Sequence, residues 1–250
     1  MRLKLLLFAL FVSAGIFAQD TIPYRSLVIT EARLDGQPST YVELTNMGDK
    51  AVNLKDFKFG MIRVWATPIL NVFTDPWIPE TSERYSMMPD YVLAPGKSFV
   101  ITSAYDFAAE QYAKKTPGFE GGQQTPQKAQ MYALSNWLIH VGEPKGDATD
   151  SITRKADGSN IGWMLENWNG RECYYIEQHL SDVDSVVIDQ VNGMFNLAGN
   201  NDAAGMYDVA GVTGATGNSV LIRKFSVKQG NLDFANARGV GADDSEWVPW

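Results

Sequence analysis

Residues Ser26 to Phe59 read SLVITEARLDGQPSTYVELTNMGDKAVNLKDFKF, and this stretch decides the fold. Leu27–Leu34 is a β-rich run with the charged Glu31 in its middle. Asp35-Gly36-Gln37-Pro38-Ser39 supplies turn chemistry, since Gly tolerates positive φ and Pro fixes φ. Tyr41–Asn46 alternates, with Tyr41, Glu43 and Thr45 on one face and Val42, Leu44 and Asn46 on the other, the period of a half-buried strand. Asn46-Met47-Gly48-Asp49-Lys50 is a second turn. Val52 and Leu54 follow at a spacing of two, and Phe57–Val64 resumes a strand. Glu43 reads as a face residue, solvated or bonded to backbone, with a sharper reading in which it anchors a neighbouring turn.

Downstream the same grammar recurs. Leu93-Ala94-Pro95-Gly96 is a turn before the strand Ser98–Thr102. Trp137, Ile139 and Val141 alternate with Leu138 and His140, as in a strand. Trp163–Leu180 is rich in aromatics, with a hairpin signal at Asn169-Gly170. Asp184–Val191 is a strand closed by Asn192-Gly193. Ser219–Val227 reads as another, and Asp244–Trp250 as a last one interrupted by Pro249. Ala104–Lys115 predicts a short helix, with Asp106 near its start and Lys114-Lys115 near its end. Short strands separated by Gly, Pro, Asn and Asp, without a long amphipathic helix, predict a sandwich or barrel.

The run Glu31, Tyr41-Val42-Glu43-Leu44-Thr45-Asn46, Gly48, Val52, Leu54 and Phe57, with Leu93-Ala94-Pro95-Gly96 before a strand, resembles the lamin-tail domain family. The likeness covers Leu27–Thr102. It implies an all-β, immunoglobulin-like β-sandwich of lamin-tail type, with long loop insertions and at most one or two short helices. In bacteria such domains are accessory modules of exported proteins, often beside nucleases or other enzymes, with no catalytic residues of their own.

The first 19 residues stand apart. Arg2 and Lys4 precede the apolar run Leu5–Phe17, and Ala18 is a small residue at a cleavage point. The run is too short to span a bilayer and predicts a signal peptide over residues 1–19. Residues 20–250 then form a single elaborated domain. No Ser- or Pro-rich linker divides it, and a native chain continuing past Trp250 stays open as a hypothesis. Losing Arg2 and Lys4 with the leader takes the net charge from −8 to −10. A chain this acidic, with its cations scattered, is not expected to grip a phosphate backbone. The readings together place it outside the cytoplasm, in the periplasm, at the outer-membrane surface or in the medium, and not as an integral membrane protein.

Chemistry-bearing motifs are sparse. The one cysteine, Cys173, cannot close an intramolecular disulfide and reads as a buried small hydrophobe. The two histidines, His140 and His179, make no zinc-type set. No Gly-x-Ser-x-Gly elbow is present. The Gly-rich run Met194–Asn218 is not followed by a phosphate-loop lysine. No cofactor is expected, though Asp182 and Asp184 offer oxygen ligands that suit calcium; the EF-hand spacing is not met. The aromatic set Trp65, Trp77, Trp137, Trp163, Trp168, Tyr174 and Tyr175 exceeds what a sandwich core requires. Trp65, Trp77, Trp163 and Trp168 are the candidate binding residues, with Trp77 inside the Pro-rich insertion Trp65–Pro89. Trp137 and Tyr175 are expected in the core. The expected function is an exported, non-catalytic binding, adhesion or structural module of the cell envelope, with a protein or glycan partner. The alternative is a secreted hydrolase acting on glycans or phosphoesters.

Overall fold

The structure, a computed structural model, describes residues 23–34, 40–62, 83–103, 126–139, 165, 170, 172–192 and 206–250. The strands are β1 (Leu27–Arg33), β2 (Tyr41–Asn46), β3 (Val52–Asn53), β4 (Phe57–Ile62), β5 (Glu83–Met87), β6 (Val92–Leu93), β7 (Ser98–Ser103), β8 (Trp137–Ile139), β9 (Cys173–Ser181), β10 (Asp184–Val191), β11 (Val220–Arg223) and β12 (Trp247–Pro249). Among the described residues the helices are α1 (Pro126–Leu134) and the single turns α2 (Ala215–Asn218) and α3 (Phe234–Ala237). A 3-10 turn at Leu54–Asp56, capped by the Asn53 side chain, leads into β4.

The protein is an all-β sandwich. One sheet has six strands in the order β12-β11-β1-β2-β7-β8, the other four in the order β10-β9-β4-β5, and β3-β6 forms a small ribbon. Among the described residues all strand pairings are antiparallel except β7 with β8. The inward side chains of both sheets make one core. Leu27, Ile29, Val42, Leu44, Phe99 and Ile101 come from the six-stranded sheet; Phe57, Phe59, Met61, Tyr174 and Ile176 come from the four-stranded one. Phe59 stacks on Tyr174 with ring centroids 5.6 Å apart. Burying one such side chain contributes about 1.5–3 kcal/mol, which is how a chain without a disulfide holds two sheets together.

The expected alternation in β2 is present: Val42, Leu44 and Asn46 are fully buried, while Tyr41 and Glu43 are half-buried. Trp137 and Tyr175 are both buried, Trp137 in the core between the sheets and Tyr175 on the face of β9 opposite Tyr174 and Ile176. Tyr175 packs against Gly60, where a Cβ would sit 2.0 Å from its ring. Cys173 is fully buried and free.

Three expectations change. β11 stops at Arg223 instead of running to Val227, because Lys224–Val227 closes a turn through a Val227 N–H to Lys224 C=O bond of 2.9 Å. Helix α1 was not foreseen. The third concerns Glu43, which touches no turn: the buried Asn46 does that work. Its Oδ1 accepts from the Tyr24 hydroxyl (2.7 Å) and the Gly48 N–H (3.1 Å), and its Nδ2 donates to the carbonyls of Lys50 (2.8 Å) and Leu93 (2.9 Å). The Asn46 backbone meanwhile pairs with Gly96 and Lys97 across the Leu93–Gly96 turn. One amide thus uses its full hydrogen-bonding capacity to tie two turns to the end of β2. A Cβ at position 48 would lie 1.9 Å from the Tyr24 oxygen, so a larger residue there would displace that hydroxyl from Asn46. The helix expected at Ala104–Lys115 and the signal peptide expected over residues 1–19 lie outside the described residues. Among the described residues no helix is long and apolar enough to cross a membrane.

Candidate functional site: the outer face of the six-stranded sheet

One irregularity organises both faces of this sheet. The register of β1 against β2 shifts between Ile29 and Glu31, so that Ile29 faces Leu44 and Glu31 faces Glu43, with Thr30 as the extra residue of a β-bulge. Such a bulge leaves backbone groups unpaired and re-aims side chains.

On the inner side, polar side chains take up the freed backbone. Asp189 of β10 accepts the Ile29 N–H at 2.7 Å, and Arg223 of β11 donates to the Ile29 carbonyl at 3.3 Å. The two side chains form an ion pair of 2.6 Å, essentially without solvent exposure. Asp189 also accepts the Asn231 N–H (2.8 Å). Arg223 donates through Nε and Nη2 to Glu246 (3.2 and 2.9 Å), Asn231 donates to the other Glu246 oxygen (2.7 Å), and the guanidinium lies 4.7 Å over the Trp247 ring. Burial pushes the Asp189 carboxyl up, and Arg223 and the two backbone amides pull it back. Burial alone would lower Arg223; Asp189 and then Glu246 overcome it and hold the guanidinium more firmly protonated than usual. This network is saturated by its own members and joins the two sheets, so it is structural.

On the outer side the bulge displays Thr30 and Glu31 together. The Thr30 hydroxyl bonds Glu43 (2.8 Å) and Thr45 (2.7 Å), and Thr45 bonds Ser98 (2.8 Å). The Tyr41 hydroxyl donates to Glu31. Burial, then that bond and the charge of Glu31, push the Tyr41 phenol well above its usual value, so it stays a donor. The strand registers arrange this face in rows. One row runs Val248, Ile222, Glu31, Glu43, Val100 across five strands. The next runs Trp250, Val220, Arg33, Tyr41, Thr102. Trp250 is 85% exposed, Val248 46% and Ile222 37%. The face is therefore apolar and open at β11–β12 and acidic at β1–β2.

The edge of β12 beyond this face offers no donor. Trp250 and Val220 exchange backbone bonds of 2.9 Å, so Trp247 and Pro249 point their backbone outward. The Trp247 N–H is taken by Ser245 Oγ at 2.9 Å, and Pro249 has no N–H. An edge so blunted does not template a further strand.

The described residues of this face include none of the binding or metal candidates singled out from sequence. Trp65, Trp77, Trp163 and Trp168 lie outside the described residues. Asp182 and Asp184 flank Val183 at the exposed tip of the β9–β10 hairpin. Among the described residues no three His, Cys, Asp or Glu side chains gather to hold a metal. The outer face draws its members from five strands spread between Glu31 and Trp250, which no local pattern connects; the signal that bears on it is apolar Ile222 and Val248 beside Leu221 and Trp247, which already supply the apolar inner positions of their strands.

No family model matches the chain, and no curated protein matches it. Among solved structures, it is similar to the crystal structure of a DUF4876 family protein from Bacteroides thetaiotaomicron, at 17% sequence identity and a TM-score of 0.42, over 81% of this chain. The chain spans 63% of that protein's length.

Proposed function

We propose that the chain is an exported, lamin-tail-type β-sandwich that serves the cell envelope as a non-catalytic binding module, with the outer face of the six-stranded sheet as its contact surface. The observation that carries this reading is the open apolar pair Ile222 and Val248, opposite each other on β11 and β12, with Trp250 beside them. A sheet exposing adjacent apolar side chains beside polar ones has the make-up of a recognition surface. The described polar clusters offer less to a reaction: Cys173 is enclosed, and Asp189, Arg223 and Glu246 are spent on one another. The resemblance at Tyr41–Asn46 and Leu93–Gly96 supports the lamin-tail reading, since those residues meet around Asn46. A protein partner fits better than a glycan, because the strip is mainly aliphatic, and sugar rings stack on aromatic faces.

The test is retention of the protein by envelope fractions, comparing the parent with Ile222→Asp/Val248→Asp. The variant is expected to keep its melting temperature, since both side chains are exposed, and to lose retention. Unchanged retention, or robust turnover of chromogenic glycosides or phosphoesters, would overturn the reading.

A further inference from the structure

Resting on that reading, we propose that the outer face takes a partner segment that places a lysine or arginine side chain between Glu31 and Glu43 while an aliphatic neighbour lies over Ile222 and Val248. The segment docks face-on and does not extend the sheet.

The charge pattern argues for the cation. Glu31 and Glu43 face each other directly across β1 and β2, where neighbouring strands are about 4.8 Å apart. Like charges placed so are unfavourable for the sheet alone. Among the described residues neither carboxylate has an ion-pair partner; the pairs formed are Lys55–Asp90, Lys58–Glu177, Arg223–Asp189 and Arg223–Glu246. Arg33, further along β1, faces Tyr41 in register. The bonds that Glu31 and Glu43 do make, to Tyr41, Thr30 and Thr45, come from neutral hydroxyls and use one oxygen of each carboxylate. Those bonds orient the carboxylates without neutralising them. A cation from outside does both, and a net charge of −8 brings it in.

The apolar half fixes what accompanies the cation. In the register row, Val248 and Ile222 adjoin Glu31 and Glu43, so the centres of the apolar pair and of the acidic pair lie two strand spacings apart, roughly 10 Å. Lysine and arginine stems lie readily along such apolar surface with the head over the acids. The blunted β12 edge removes the competing mode, in which a partner strand pairs through backbone.

The experiment is an amide-resolved NMR titration of the whole protein with two probes, acetyl-Leu-Gly-Gly-Arg-amide and acetyl-Leu-Gly-Gly-Gln-amide, at millimolar concentrations. The arginine probe is expected to shift the amides of Glu31, Glu43, Ile222 and Val248 and to bind about five- to tenfold more tightly than the glutamine probe, the scale of one or two exposed ion pairs. Glu31→Gln/Glu43→Gln is expected to abolish that preference with its spectrum otherwise unchanged. Equal binding of the two probes at this face overturns the cation and leaves the apolar contact surface standing. Shifts confined to other residues, no shifts at all, or a preference that survives in the double variant also overturn it. If envelope retention fails while the arginine preference holds, the binding-module reading falls and this site remains.

Discussion

Asp189 and Arg223 stand on opposite sheets and meet at 2.6 Å, directly behind the bulge that Thr30 makes in β1. The pair satisfies the Ile29 N–H and carbonyl where β11 no longer runs beside β1. An inner ion pair thereby supports the deformation that turns Thr30 and Glu31 outward.

Breaking that pair on one side is therefore costly. Arg223→Met leaves the Asp189 carboxylate buried without its cation, and removing one partner of such a pair costs about 3–5 kcal/mol. Adding Asp189→Asn should recover part of the loss, because no fully buried charge is left uncompensated; Glu246, which also loses Arg223, is a quarter exposed and keeps the Asn231 bond. Urea unfolding of the two singles and the double closes the cycle. A coupling near zero would show that the two residues do not support each other.

Asn46 makes a second test. Asn46→Ala abandons the Leu93 carbonyl and the Gly48 N–H and leaves the Lys50 carbonyl only the Tyr24 hydroxyl, at 3.2 Å. An unmet buried group costs about 1–3 kcal/mol and the part-buried ones less, so a loss of about 2 kcal/mol or more is expected. Glu43→Ala should cost well under that, since Glu43 holds only hydroxyls on a half-open face. Thermal unfolding of the two variants distinguishes them, and a Glu43 effect as large as that of Asn46 would restore Glu43 as the turn anchor.

These two residues mark how far the sequence could be read. Alternation in Tyr41–Asn46 reveals which side chains are buried, because a strand's period of two is a local property. It does not reveal that Asn46, a polar residue on the buried face, is the hub of two turns separated by more than forty positions. The bulge carries no Gly or Pro to announce it. Asp189, Arg223 and Glu246 read as ordinary strand and loop charges, since their meeting depends on how two sheets stack. Helix α1 has weak apolar periodicity in PQKAQMYAL, and the one usable cue was Pro126 at its first position, where proline suits a helix start.

Asp244 gives a pH-dependent prediction. Its carboxylate accepts the N–H groups of Val240 (3.0 Å) and Gly241 (2.7 Å), which holds its pKa below the ordinary aspartate value. A depressed pKa means that its stabilisation is complete above the unfolded value of about 3.9 and is lost as pH falls through the lower folded value. The Val240 and Gly241 amide resonances should follow a titration with a midpoint below 3.9, a typical free aspartate. A midpoint at or above that value would mean that the turn is not held by Asp244.

Cys173 should report opening of the four-stranded sheet. It is fully enclosed, and burial first, then the charge of Asp189, pushes its thiol up. Both effects suppress the thiolate that reacts with alkylating agents. Modification by iodoacetamide should be negligible in the native protein and become complete across the denaturant range in which the core unfolds. Rapid native labelling would place the thiol in an accessible site.

The most direct measurement of the contact surface is site-specific photo-crosslinking in intact cells, with benzoylphenylalanine at position 248 on the outer face and, as control, at position 183 on the β9–β10 hairpin tip, where Val183 is 97% exposed. The account predicts a discrete higher-mass adduct from position 248 and none from position 183. An adduct from position 183 with none from position 248 would contradict it.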